Sequence, residues 1–383
     1  VRGTKQASGG GFALRDALFN ATTLGQLASE HEAGLPGFDA QAFLASVLPG
    51  LPERGLLERL DWIADCLEPQ LAPDFPTMAA QIEAAMPPPL DPGRRDDDFG
   101  QYIHAVPGVL AVRHGLSADH LARALDLLEA ATQRFSMEFA IRPFLDAFPG
   151  PVMDRLEAWT AHPNYHVRRL VSEGTRPTLP WAKRIAAEPR TMLPLLDALH
   201  ADPARYVTRS VANHLNDVAK IEPDRVLARL AHWRAQDAQE PGELAWMARH
   251  ALRTLVKDGH PGALAALGYD AGAEIDVAVF TVTPDAPRIG ESASVSVTLT
   301  APRETPVVVD YVIWFRRPGG RETAKVHKLK TATVRPGAPL TVAKTHRFKG
   351  DASTFTLVPG PHRVALQVNG RRRAETVLDL RPA

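Results

Sequence analysis

The sequence holds a single cysteine, Cys66, among 383 residues. One thiol excludes an intrachain disulfide and any cysteine-based metal site. Long apolar runs are missing too: no stretch approaches the ~18 residues of a membrane span. The opening residues Val1-Arg2-Gly3-Thr4 show no signal-peptide core. These absences point to the cytoplasm and away from a membrane. Aromatic residues amount to only 7%, with no stacking stripe of the RNA-binding kind. There is no GxGxxG in a βαβ context, no Walker loop, no HExxH and no GxSxG elbow, so nucleotide hydrolases and zinc enzymes are excluded. His162 and His166 stand four apart, but Pro163 between them argues against a metal pair. The residues call for no metal and no cofactor.

What is present is a globular composition, 45% hydrophobic and 23% charged, in a chain long enough for two or three domains. Formal net charge is zero, but it is unevenly spread: −9 over residues 1–133, +3 over 134–260 and +7 over 274–383. Such asymmetry suggests a polyanion facing the later two-thirds of the chain.

Texture changes near residue 270. Before it, apolar residues three and four apart predict helices over Phe38–Val47, Leu56–Glu68, Pro76–Ala85 and Ala118–Phe135, with 33 prolines in the chain as punctuation. Asp91–Asp98 lacks apolar residues and reads as an exposed loop near 91–100, and the Gly/Ser-rich residues 1–11 read as a flexible tail. After residue 274 the period becomes two. Val277–Val282, Ala293–Leu299, Val307–Phe315, Thr331–Val334, Thr356–Val358, Arg363–Val368 and Thr376–Leu380 alternate, separated by turn dipeptides such as Asn369-Gly370. Short strands at this spacing predict a disulfide-free immunoglobulin-like sandwich over 274–383.

The helical part, 12–273, repeats. Val167, Val207 and Met247 recur every 40 residues, as do Arg169, Arg209 and Arg249, and the first two copies follow His162-Pro163 and Asp202-Pro203. Helix pairs at this period are the mark of an all-α HEAT-like solenoid. The three arginines should line one surface, with Arg168 nearby, either as a phosphate-gripping column or as a ladder pairing with neighbouring carboxylates. Three carboxylates, Glu138, Glu173 and Asp217, and one indole, Trp181, accompany the repeats, either as chemistry or as capped and packed residues. In the sandwich, Arg316-Arg317-Pro318-Gly319-Gly320-Arg321 places three guanidiniums on one turn, as a second DNA contact or as a solubilising hairpin.

Three motifs carry a resemblance. His166-Val167-Arg168-Arg169-Leu170-Val171-Ser172-Glu173-Gly174-Thr175-Arg176-Pro177 with Leu179-Pro180-Trp181 is the first. Tyr206–Asp217 is the second, and Arg249–Leu255 with Gly259-His260-Pro261 is the third. Together they resemble the AlkC family of HEAT-like alkylated-base DNA glycosylases, in the form whose Ig-like domain ends in a hairpin like Pro359-Gly360-Pro361-His362. The resemblance runs from about Phe12 through the sandwich. It implies excision of cationic bases such as 3-methyladenine and 3-methylcytosine from duplex DNA, in base excision repair and without base flipping. It makes Glu138, Glu173 and Trp181 the catalytic cluster, with Asp217 as an addition and Arg169 as a DNA contact. It calls for a monomer on nucleoid DNA with no obligate protein partner. The chemistry agrees. A methylated ring nitrogen is an activated leaving group, and a carboxylate stabilises the oxocarbenium left behind. An indole offers cation–π attraction to the charged base. The other reading is a HEAT/Ig scaffold without catalysis, which has no reason to bring Glu138, Glu173 and Trp181 to one exposed spot.

Overall fold

The computed structural model describes residues 14–96, 98–180, 182–350 and 355–383. The tail 1–11 and Trp181 lie outside these residues. The chain divides into two compact units: one runs to Val218 and takes in Gln236–Met247, and the other comprises Ala219–Ala235 and Ala248–Ala383.

The first unit is helical, and its helices begin where side chains can satisfy the free amides of a first turn. Asp39 caps Ala40–Val47 by accepting from the Ala42 amide at 2.8 Å. Asp74 caps Phe75–Ala85 through the Thr77 amide at 3.0 Å. Asn164 caps Tyr165–Gly174 through the His166 amide at 2.8 Å. The helix expected over Ala118–Phe135 is shorter, Leu121–Thr132, because residues 118–120 form a turn instead. The 40-residue register is structural: Val167, Val207 and Met247 are each fully buried, on Tyr165–Gly174, Arg205–Ala219 and Pro241–Ala251. Cys66 is a buried, unbridged thiol on Leu56–Leu67 that accepts from the Ser46 hydroxyl at 3.3 Å. No helix among the described residues is long and apolar enough to cross a membrane.

The loop at 91–98 departs from its reading as a plain exposed connection. Its Arg95 carbonyl accepts from the Tyr206 amide at 3.1 Å, and Phe99 meets the Tyr206 ring edge-on at 5.3 Å. An apolar-poor stretch thus reaches a repeat helix through backbone and carboxylate, which apolar counting overlooks.

The second unit joins the helices Pro223–Gln236, Arg253–Lys257 and Pro261–Ala266 to seven strands. The strands are β1 Asp276–Thr283, β2 Ser292–Thr300, β3 Thr305–Arg316, β4 Glu322–Val334, β5 Leu340–Arg347, β6 Gly360–Val368 and β7 Arg371–Leu380. They form two antiparallel sheets, β1-β2-β5 and β4-β3-β6-β7, with an Ig-like core between them. Burial alternates strictly along β2, as expected of a strand with one face on the core. β3 is buried almost throughout, and on its outer face Trp314 packs with Val312 and Ala365, the Arg363 and Arg372 guanidiniums 4.6 and 4.7 Å from the indole.

Two strand readings change. Thr356–Val358 is not a strand, and β5 supplies the seventh instead. β4 begins nine residues before the expected Thr331. Both β4 and β5 are sheet edges studded with Lys325, Lys328, Lys330 and Lys344, the charges that guard an unpaired edge and mask its alternation.

Candidate active site

Five charged side chains of the first unit form an alternating chain: Glu138, Arg169, Glu173, Arg176, Asp217. Arg169 lies on the helix Tyr165–Gly174 with its guanidinium 3.0 Å from Glu138 and 3.7 Å from Glu173. It also donates to the Ser136 hydroxyl at 2.8 Å, which in turn donates to Glu138 at 2.8 Å. Arg176 continues the chain, 2.6 Å from Glu173 and 2.9 Å from Asp217. Ser210 of the next repeat donates to the second Glu173 oxygen at 2.6 Å.

Burial rises along the chain. The Glu138 side chain is 18% exposed, Glu173 7% and Asp217 3%. Glu173 is satisfied on both oxygens. Burial alone would raise its pKa, but Arg169, Arg176 and the Ser210 hydroxyl hold it below the usual carboxylate range. Burial likewise disfavours the Arg169 cation, yet Tyr206, with its ring 4.5 Å from the guanidinium, and the two glutamates raise its pKa further. Glu138 differs: among the described residues only its Oε2 is engaged, leaving Oε1 open to a substrate cation or a water. Three carboxylates against two guanidiniums leave one net negative charge, the sign that a cationic base or an oxocarbenium needs.

The structure therefore brings Glu138 and Glu173 together through Arg169, and extends the group to Asp217 as its most buried member. It does not deliver the free arginine column. Arg169 is an internal bridge. Arg209 is ion-paired with Asp96 of the 91–98 loop and rests 5.7 Å from the Tyr206 ring. Arg168 belongs to the ladder: it grips Asp202 at 2.5 and 3.1 Å and donates to the carbonyls of His162 and Pro163. Arg205 and Thr208 repeat that bond one step on, to Glu243. Arg249 is exposed on Pro241–Ala251.

In the second unit, the three sandwich arginines do not share one direction. Arg316 lies over Gly360, where an added Cβ would fall 2.5 Å from its guanidinium. Arg317 donates to Thr323 at 3.3 Å, and Arg321 is exposed beyond a turn in which Gly319 and Gly320 take φ of +83° and +80°.

Sequence reading missed Ser136, Ser210, Arg142 and the bridging role of Arg176. Arg142 is 4% exposed and donates to the carbonyls of Gly174, Arg176 and Lys183, fastening the segment that contains Trp181 in the chain. Its signal was available: a lone arginine inside Phe139–Phe144, an otherwise apolar run.

A helical repeat unit bearing a buried carboxylate–arginine chain, joined to a seven-stranded Ig-like sandwich, defines the class: a HEAT-like repeat protein with an Ig-like domain. Residues 276–382 match the family model described as the C-terminal Ig-like domain of uncharacterised protein YhaZ. The uncharacterized protein YhaZ of Bacillus subtilis (strain 168) is 30% identical over 361 residues, covering 92% of this chain and 95% of that protein. A solved structure of Pseudomonas fluorescens alkylpurine DNA glycosylase AlkC, bound to DNA containing an abasic site analog, is 35% identical with a TM-score of 0.85. That match covers 96% of this chain and 99% of the other. The chain belongs to the AlkC family, in the form with a C-terminal Ig-like domain.

Proposed function

We propose that the chain is a DNA glycosylase that hydrolyses the N-glycosidic bond of cationic alkylated bases, of the 3-methyladenine and 3-methylcytosine type, in duplex DNA. The carrying observation is the open Oε1 of Glu138 at the solvent end of a net-negative, otherwise satisfied chain. Glu173, deeper in the chain, is by contrast engaged on both oxygens. The AlkC relative, solved with DNA containing an abasic site analog, supports the same reading.

In this reading the base leaves as a neutral group, so no general acid is required. Glu138 faces the sugar as positive charge develops there and can orient the attacking water. An opposite charge about 4 Å away is worth ~4 kcal/mol at an effective dielectric near 20, enough for roughly three decades of rate. Arg169 and Ser136 hold Glu138 in place, and Glu173 sets Arg169 from the other side. The open oxygen belongs to a part-exposed side chain in the turn just before the helix Ile141–Ala147, which suits attack without base flipping. Trp181 keeps its proposed role beside the cationic base. Arg209 and Arg249 stay as phosphate contacts, and Arg168 is assigned to the fold. The deciding experiment measures release of 3-methyladenine and 3-methylcytosine from methylated duplex by wild type and Glu138→Gln. No release by wild type would leave the scaffold reading, and equal release by the two proteins would take Glu138 out of the chemistry.

A further inference from the structure

The sandwich contains a cavity of chemical interest. It opens where the two sheets present their edges, between β4 and β5, and encloses about 240 Å³. Its interior is aromatic: His327 from β4, His346 from β5, and Phe315, Phe348 and Phe355. The two imidazoles meet at 4.7 Å, nearly perpendicular. Tyr311 fixes both, stacking on His327 at 5.1 Å and hydrogen-bonding His346 Nδ1 at 2.9 Å. Burial pushes both histidines down to about 4, so near neutral pH the interior carries no charge. His327 Nε2 is buried and has no hydrogen-bond partner.

Around this neutral interior stand Arg317, Lys325, Arg347 and Lys349, with no carboxylate among the described lining residues. Edge-strand lysines ordinarily point into solvent to block pairing. Lys325 instead lies 4.7 Å from the Phe355 ring, and Arg317 5.9 Å from the same ring. An unpartnered ring nitrogen, stacked aromatics and four cations among the lining residues ask for a ligand with a planar face, a hydrogen-bonding edge and an anionic group.

We propose that this pocket binds one nucleotide, its base among His327, His346 and the phenylalanines and its phosphate at Arg317, Lys325, Arg347 and Lys349. Size limits the ligand to one unit, because pockets enclosing drug-sized molecules run to roughly 300–1,000 Å³. Stacking on aromatic faces is tolerant of base identity, and the cations supply phosphate attraction. The nucleotide is either free or an unpaired residue of a DNA strand; the recognition chemistry is the same. The site is separate from Glu138 and does not depend on base excision.

The test is calorimetric titration of the full chain with dAMP, a phosphorylated deoxytrinucleotide, deoxyadenosine, deoxyribose 5-phosphate and inorganic phosphate. The expected result is that at least one of the first two binds tenfold or more tighter than each of the last three, which lack ring or phosphate. Arg347→Glu with Lys349→Glu, both exposed positions, should weaken that binding at least tenfold with an unchanged melting temperature. His327→Phe should weaken it while filling the cavity, and Glu138→Gln should leave it intact. Tighter binding of dAMP identifies the free nucleotide, and tighter binding of the trinucleotide identifies the strand. No preference over inorganic phosphate, or no response to the double charge reversal, would overturn the proposal.

Discussion

Arg169 holds Glu138 by a single oxygen, at 3.0 Å, and leaves the other without a hydrogen bond. The two glutamates on either side of Arg169 should therefore respond differently to the same change. Glu138→Gln keeps the shape and most hydrogen bonds at a part-exposed position, so folding should hold while base release falls ~10²–10⁴-fold. Glu173→Gln leaves Arg169 and Arg176 facing an amide in a buried setting. Breaking such a pair costs about 3–5 kcal/mol, so a lower melting temperature should accompany the lost activity. Thermal melts beside single-turnover base release check both. Near wild-type release from Glu138→Gln would remove it from the chemistry.

The Asp96–Arg209 ion pair sets an acidic loop against a guanidinium proposed as a phosphate contact. Asp96→Asn should remove one carboxylate from the Arg209 guanidinium, tighten duplex binding and steepen its salt dependence by up to about 0.9 in log–log slope, the value for one added phosphate contact. Arg209→Ala should do the reverse, and in the double variant the gain should vanish. Fluorescence anisotropy between 50 and 200 mM salt reads the slopes. A gain that survives Arg209→Ala would mean only that one negative charge was removed.

Arg168 supplies the contrast. With its donors committed to Asp202 and two carbonyls, Arg168→Ala should lower the melting temperature and leave the salt slope at the wild-type value. Asp202 is 7% exposed and would be stranded, so a loss of about 3–5 kcal/mol is expected from urea titrations. A changed salt slope would return Arg168 to the DNA surface.

Which of these roles were legible in the sequence follows from what sequence periodicity encodes. A 40-residue period reports burial, and Val167, Val207 and Met247 are all fully buried. It says nothing about partners, so Arg169, Arg209 and Arg249 share a register but not a role. Arg209 meets Asp96 from 113 positions away, a pairing no local pattern contains. Glu138 was visible as an acid in apolar company and Glu173 by its place in the first repeat motif, whereas Ser136 and Ser210 were not, since serines are common and their meaning lies in the 2.6–2.8 Å bonds they make. The sandwich strands with buried faces stood out. The charged edges β4 and β5 did not, because the lysines that protect an edge erase its hydrophobic alternation.

Buried neutral histidines make stability depend on pH. His214 is fully buried, its Nδ1 at 3.0 Å from the Ser172 carbonyl, and burial pushes its pKa down to about 4 from 6.5. The unfolded chain then binds the extra proton between these values, so this contribution is complete above about pH 6.5 and is lost as pH falls toward 4. Replacing His214 with leucine should flatten the fall in stability over that window by up to ~1.4 kcal/mol per pH unit. Urea midpoints at pH 7, 5.5 and 4.5 check it. Parallel wild-type and variant curves would show that His214 takes up its proton as readily in the fold as in the unfolded chain.

Asn369 ties three parts of the second unit together and should be among the least replaceable residues of the sandwich. It is fully buried in the β6–β7 turn with φ of +46°, a conformation asparagine tolerates better than most residues. Its amide donates to the Asp270 carbonyl at 2.9 Å and the Pro306 carbonyl at 3.1 Å, and its oxygen accepts from the Val308 amide at 2.9 Å. Next to it, Gly370 approaches Gly259 so closely that a Cβ would meet backbone at 2.7 Å. Asn369→Ala strands three backbone groups, at ~1–3 kcal/mol for each one left unsatisfied, and adds left-handed strain. Asn369→Asp should be worse although it is nearly isosteric, because a carboxylate would face two carbonyl oxygens. Gly370→Ala should fall in the same range through steric contact alone. Differential melting with intrinsic fluorescence ranks the three variants. An aspartate variant as stable as wild type would show that the two donated bonds do not hold this turn.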